Sequence, residues 1–168
     1  MIIWLNGAFG SGKSTLAAGL RRALPGAAVA DPEAVGDLLR STLAGHALKP
    51  RDYQDLPPDH TGSPVIVPMT VLNPSYAEEI FAPLRRGGGF HHLVVHTDPA
   101  ALTERIEASD EYPGDPERSE AVRAYRRRAA DYQQSAAWLH ARGHVIDTTT
   151  LTAGQTLQAA LAHLHTAA

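Results

Sequence analysis

Short apolar runs alternate along the chain with segments whose apolar residues recur at helical spacing. The first run, Ile2 to Leu5, reads as a buried parallel strand. Leu16, Leu20 and Leu24 then fall four apart on one helical face, and Pro25-Gly26 stops that helix. Further apolar runs lie at Ala27 to Ala30, Val65 to Leu72, Leu93 to Val95 and His144 to Ile146. Three of them lead to Asp31-Pro32, Asn73-Pro74 and Asp98-Pro99, each a capping side chain followed by proline at the first helical position. The helices beyond carry inward sets Val35, Leu38, Leu39; then Ala77, Ile80, Phe81, Leu84; then Leu102, Ile106. Gly87-Gly88-Gly89 ends the third helix. A long helix is predicted over Ser119 to Arg142, with Val122, Tyr125, Ala129, Tyr132, Ala136 and Leu139 inward. Thr152 and Gln155 form a capping box for a terminal helix whose inner face is Leu157, Leu161 and Leu164. Five strands alternating with helices predict an α/β fold, a three-layer arrangement around a parallel sheet.

Two segments fit neither element. Residues 45–64 contain four prolines and read as an irregular excursion on the acceptor side. Residues 109–119, "SDEYPGDPERS", read as a short charged lid between helices. With 168 residues the chain fits a single domain spanning 1–168. A formal charge of −3 gives no general attraction to nucleic acid or to an anionic membrane, so any anion site must be local. The absence of cysteine excludes disulfides, thiolate catalysis and zinc–thiolate sites. Met1 to Leu5 is too short for a signal peptide or a membrane span, and a cytoplasmic protein is expected. Nothing in the sequence speaks to oligomeric state.

One stretch carries explicit chemistry. Gly7-Ala8-Phe9-Gly10-Ser11-Gly12-Lys13-Ser14, followed by Thr15, matches G-x-x-x-x-G-K-[ST] at every position, with a strand before it and an amphipathic helix after it. The glycines let backbone N–H groups wrap phosphates, and the helix starting near Lys13 adds its positive end. Lys13 is the candidate partner of the β- and γ-phosphates of ATP, and the Ser14 hydroxyl the candidate ligand for Mg²⁺. No guanine-reading N-K-x-D is present, and the third strand ends "VIVPMT" without the acidic pair of a motor ATPase. The class that remains is the small P-loop kinases, with a nucleotide kinase-like fold and a five-stranded parallel sheet.

In such kinases the acceptor sits where the second strand ends, which is Asp31 here. The same residue also serves as the cap of the helix starting at Pro32, and the two roles are compatible. The blocks "MIIWLNGAFGSGK", "VADPEAVGDLLRS" and "VIVPMTVLNPSYAEEI" occur in this order. On them the chain resembles the tunicamycin-resistance proteins, small P-loop proteins related to nucleotide kinases and chloramphenicol phosphotransferase. The resemblance implies an ATP-dependent phosphotransferase acting on a small hydroxylated molecule of the nucleoside-antibiotic kind. It implies a catalytic role for Asp31, and acceptor contacts at Thr70 and Asn73, which local capping and turn formation would also explain. The chain departs from the family where "RDYQDLP" passes through "PDHTGSP" directly into Val65, without a further helix.

Arg118 and Arg123 are the candidate catalytic arginines of the lid, with Arg105 behind them; a solvated helix face is the alternative. His92 and His96 share one strand face and His91 points to the other, so structural or surface roles suit them better than a shared metal. After the last strand, residues 147–150 run where related kinases pass beside adenine. Two rival readings stand beside transfer to an antibiotic: a nucleoside or metabolite kinase unrelated to resistance, and an ATP-dependent protein that sequesters a drug unchanged.

Overall fold

In the computed structural model, residues 1–32, 63–110, 112–128 and 132–166 are described. The apolar runs form five strands: β1 (Ile2–Gly7), β2 (Ala28–Val29), β3 (Val65–Pro68), β4 (Phe90–His96) and β5 (His144–Asp147). They lie in the order β2-β3-β1-β4-β5, and every pairing is parallel. The described helices are α1 (Lys13–Ala23), α2 (Pro74–Arg86), α3 (Pro99–Glu107), α4 (Pro116–Arg128), α5 (Tyr132–Arg142) and α6 (Ala153–Thr166). Among the described residues no helix is long and apolar enough to cross a membrane.

Strand alternation divides the core between two faces. Ile3, Leu5, Ile66, Leu93, Val95 and Ile146 meet Leu16 and Leu20 of α1 and Ala160 and Leu164 of α6. On the other face Trp4 and Val67 pack against Ala77 and Phe81 of α2, and Val94 packs against Tyr132 and Leu139 of α5. Trp4 and Phe81 meet edge to face, with ring centroids 5.1 Å apart.

The junctions behave as their chemistry requires. Asn73 accepts hydrogen bonds from the Ser75 and Tyr76 N–H groups, and Asp98 accepts one from Ala100. Thr152 and Gln155 exchange bonds: the Thr152 N–H donates to Gln155 Oε1, and the Gln155 N–H donates to Thr152 Oγ1. Pro32 has helical backbone, but the rest of that helix, including Val35, Leu38 and Leu39, lies outside the described residues. So does the 45–64 excursion apart from Ser63 and Pro64.

Four expectations are corrected. β3 stops at Pro68, two residues short of the end of "VIVPMT", although the Met69 N–H still donates to the Leu5 carbonyl; Met69 to Leu72 form a loop. The helix expected from Ser119 begins at Pro116, so Arg118 and Ser119 belong to a helix instead of the lid loop; the expected span carries α4 and α5, and Ala129 lies outside the described residues. Tyr125 is 62% exposed rather than inward, its ring resting edge-on against Phe9. On α6 the buried residues are Thr156, Ala160 and Leu164, while Leu157 and Leu161 flank them as partly buried contacts. The small Ala160 faces the core, and Leu157 fills the space over Gly19 of α1, where an added methyl would sit 3.3 Å from its branches.

Leu20 is completely buried where α1 meets the sheet. Leu20→Ala is expected to lower unfolding free energy by about 2–5 kcal/mol, and Leu161→Ala, at the half-buried flank, by clearly less. Urea unfolding of the two variants beside the wild type measures both.

Candidate active site

The loop between β1 and α1 is a backbone structure before it is a set of side chains. Gly7, Gly10 and Gly12 have φ of 144°, 82° and 98°. The first and last need glycine for different reasons. A methyl on Gly7 would lie 2.4 Å from the Val95 carbonyl oxygen, because the loop leaves the sheet pressed against β4. Gly12 has open space around it and needs only the left-handed conformation that starts α1. Gly12 gives α1 no side-chain cap, and a helix N-terminus of this kind suits an anion. The Ser11 hydroxyl is buried and has no hydrogen-bond partner among the described residues. Lys13 is buried and folds over the loop, with Nζ 3.0 Å from the Gly7 carbonyl oxygen, 2.8 Å from that of Ala8 and 5.3 Å from the Phe9 ring centre. Ser14 and Thr15, beside it, are exposed. A cradle of backbone donors with a cation bent over it fits a chain of phosphates.

The loop after β3 is fixed against this cradle by main-chain hydrogen bonds. Asn6, fully buried at the end of β1, accepts from the Gly7 N–H (2.9 Å) and the Val71 N–H (3.1 Å), and its amide donates to the Val71 carbonyl (2.9 Å). The Trp4 indole donates to the Met69 carbonyl, and Ser135 and Trp138 of α5 both donate to that of Leu72. Thr70 is thereby held with its hydroxyl donating to the Gly7 carbonyl at 2.9 Å, on the same oxygen as Lys13. Asn73, three residues on, spends its side-chain oxygen on the α2 cap. Asp31 is half-buried two residues past β2, at the same edge of the sheet as Thr70.

The arginines divide by partner. Arg105, on α3, turns away from the lid to donate to Thr97, to the Thr148 side chain and carbonyl, and to the Thr149 carbonyl. Arg118 stacks on Tyr112 with its guanidinium 3.8 Å from the ring centre. Arg123 is tied to the Ser109 carbonyl and to Glu120, and Arg127 to Glu107 and Glu120. Two cavities flank the loop. One, of about 340 Å³, lies between the loop, Arg105, Thr148, Leu151 and Thr156. The other, of about 380 Å³, lies between Ala8–Phe9, α3 and the helices that follow the lid.

His92 lies behind the site. It is buried between the Asn6 amide, 3.4 Å from Nε2, and the Arg142 carbonyl, 3.3 Å from Nδ1; burial pushes its pKa down to about 4. His96 faces Tyr132, 3.1 Å from the hydroxyl, whose own pKa burial raises to about 12. His91 lies on the opposite face beside His163. The loop residues, Asp31 and Thr70 carry motif or junction signals in the sequence, whereas Asn6, Trp4, Ser135 and Trp138 belong to no motif. Their only signal is a polar group inside an apolar strand or on an inner helix face.

No protein-family model matches the chain, and no curated protein does. Solved structures do match. The tunicamycin resistance protein of Deinococcus radiodurans is 25% identical, with 97% of this chain and 94% of that one covered at a TM-score of 0.60. A gluconokinase from Sinorhizobium meliloti 1021 is 19% identical, covering 98% and 91%, with a TM-score of 0.58. Shikimate kinase from Bacteroides thetaiotaomicron is 14% identical, covering 98% of both chains, also at 0.58. The fold is that of the small P-loop kinases, and the likeness to the tunicamycin-resistance proteins read from the sequence is borne out.

The buried His92 gives a pH test of the scaffold. Its folded pKa lies below the unfolded value near 6.5, so the unfolded chain binds the extra proton between the two. The stability it contributes is complete above about pH 6.5 and is lost as pH falls towards 4, on the order of 3 kcal/mol in all. His92→Gln is expected to flatten the fall in unfolding free energy between pH 7 and pH 4.5 relative to wild type. The other histidines with lowered pKa, His91, His140 and His163, are common to both proteins and cancel in the difference.

Proposed function

We propose that this protein is an ATP-dependent phosphotransferase that moves the γ-phosphoryl group of ATP to a hydroxyl of a small molecule. The observation that carries the reading is the meeting of Lys13 and Thr70 on one carbonyl of a glycine cradle that fits phosphates. Bound ATP with Mg²⁺ supplies the activated phosphoryl group. On this chain Gly7 to Thr15 would hold the phosphates by backbone N–H groups, and the exposed Ser14 hydroxyl would take the metal. The cavity lined by Arg105 and Thr148 suits the nucleotide base.

In the reaction a bond forms between the acceptor oxygen and the γ-phosphorus while the β–γ bridging bond breaks, and ADP leaves. The hydroxyl proton needs a base at the acceptor side. Asp31 is suited to that task and to orienting the hydroxyl, since it shares the sheet edge with Thr70. Thr70 would contact the acceptor, whereas the committed oxygen of Asn73 leaves only its amide for such a contact. Arg118 and Arg123 would hold charge once the lid covers the site, which also keeps water from the γ-phosphoryl group. An antibiotic of the nucleoside type is the acceptor suggested by the tunicamycin resistance protein, and a cytoplasmic location suits ATP as donor.

Two variants test the reading. Lys13→Ala is expected to weaken ATP binding measured by calorimetry and to abolish transfer, with the melting temperature nearly unchanged; unaltered ATP affinity would remove the nucleotide-site assignment. Asp31→Asn keeps a competent helix cap but cannot take a proton. Its phosphorylation rate, followed as the mass of the acceptor, is expected to fall by roughly 10²–10⁴-fold with near-normal ATP binding. A wild-type rate would leave Asp31 as a cap alone. An acceptor that binds with ATP and is recovered at unchanged mass would favour sequestration over transfer.

A further inference from the structure

We propose that the cavity between the phosphate loop and the lid helices receives an apolar body of the acceptor, so that the acceptor is an alcohol carrying an aryl or alkyl group and not a bare polyol such as a sugar acid. The inference rests on the phosphotransferase reading and narrows its substrate class. At about 380 Å³ the cavity falls at the lower end of the range of small-molecule sites, about 300–1,000 Å³.

Its walls are predominantly hydrocarbon. Leu102 and Ile106 of α3 form one side, Ala136 and the Tyr132 ring of α5 another, and Ala8 with the Phe9 ring closes it against the phosphate loop. The Tyr132 hydroxyl adds little polarity, because it is already engaged between His96 Nδ1 at 3.1 Å and His140 Nε2 at 3.4 Å. The polar side chains that also line it, among them Thr103, Gln133, Arg126 and Arg127, are too few to pair every hydroxyl of a sugar acid or other polyol, so several would be buried against carbon, at a cost that disfavours binding. An aromatic or alkyl group would gain from the same burial.

The cavity is also next to the reacting centre. Ala8 and Phe9 form its wall, and Lys13 Nζ lies 2.8 Å from the Ala8 carbonyl oxygen and 5.3 Å from the Phe9 ring centre. Leu72, at the end of the loop that carries Thr70, packs in the same apolar cluster as Ala8, Leu102 and Ala136. The Thr70 loop and the cavity thus border the same stretch of the phosphate loop, Gly7 to Phe9. Arg126 and Arg127 stand on the lid side, where charge on the transferring group would need them. The other cavity lies across the loop beside Arg105, so the two substrates need not compete for one space.

The test compares 2-naphthalenemethanol with D-gluconate on the full chain in the presence of a non-hydrolysable ATP analogue, by calorimetry. The aryl alcohol is expected to bind and gluconate not to bind. Ala136→Trp fills the cavity and is expected to weaken the aryl alcohol at least about tenfold, while ATP affinity stays within about twofold. Leu102→Asn, which keeps the branched shape but replaces its methyls by an amide, is expected to weaken it similarly and serves where the tryptophan disturbs folding. Equal binding of gluconate, or aryl-alcohol affinity unchanged in both variants, would overturn the assignment. Loss of ATP affinity in a folded Ala136→Trp would overturn it too, by giving the cavity to the nucleotide. With ATP itself, product mass separates this inference from the reading beneath it. Aryl alcohol bound but not phosphorylated keeps the cavity and removes the transferase; gluconate phosphorylated with aryl alcohol unbound does the reverse.

Discussion

Everything in the site depends on one buried amide. Asn6 is fully enclosed at the end of the central strand, and its two polar atoms hold the Gly7 N–H and both backbone groups of Val71. An amide suits this position because it offers an acceptor and a donor on one rigid plane. A carboxylate would lose the donor and bury a charge, and an apolar residue would leave three main-chain groups unpaired inside the sheet. The amide also fixes the angle at which the phosphate loop leaves β1. That angle presses Gly7 against Val95 and excludes every side chain there. His92 completes the arrangement from behind: kept neutral by burial, it can accept from Asn6 while donating to the Arg142 carbonyl.

From that point the parallel sheet brings distant segments together. Because all strands run the same way, the turns after β1, β2, β3 and β4 open on one edge, where α/β proteins bind ligands. The lid side is held more loosely. Glu120 engages both Arg123 and Arg127 at an exposed surface, where hydrogen bonds from the arginines keep its pKa low. Ion pairs of this kind contribute little and are easily exchanged. A phosphate offering bidentate, charge-assisted bonds in a drier place would compete with Glu120 on favourable terms.

How much of this was legible followed from how local each cause was. The phosphate loop could be read in full because one contiguous segment makes it. The caps Asn73, Asp98 and Thr152 were legible for the same reason: the side chain and the N–H groups it binds lie within four residues. Tyr125 was misread because helical periodicity says which residues share a face, while the direction of that face depends on where α4 sits over Phe9. The α6 stripe was rotated by a contact between helices, Leu157 over Gly19, that no spacing within α6 encodes. Arg105 lay among the lid arginines by sequence, yet its partners Thr97 and Thr148 are brought to it by β4 and β5. Asn6, Trp4, Ser135 and Trp138 act across more than sixty residues of chain, so their roles exist only once the sheet has formed.

The acceptor side also divides its labour between backbone and side chain. The path of residues 69–72 is set by Trp4, Asn6, Ser135 and Trp138, all of which grip main-chain atoms. The buried Met69 and Val71 side chains add core packing beside Trp4 and Phe81, and Thr70 adds its bond to the Gly7 carbonyl. In the phosphate loop the glycines and Asn6 determine the course and leave the Phe9 ring to form a wall. On the proposed reading, the phosphate site would depend mainly on the backbone course of the loop, and the acceptor surface mainly on side chains, some of which also pack in the core. On that reading the identity of the acceptor would be a property of Phe9, Thr70, Leu102, Ala136 and their neighbours, and not of the fold that carries them.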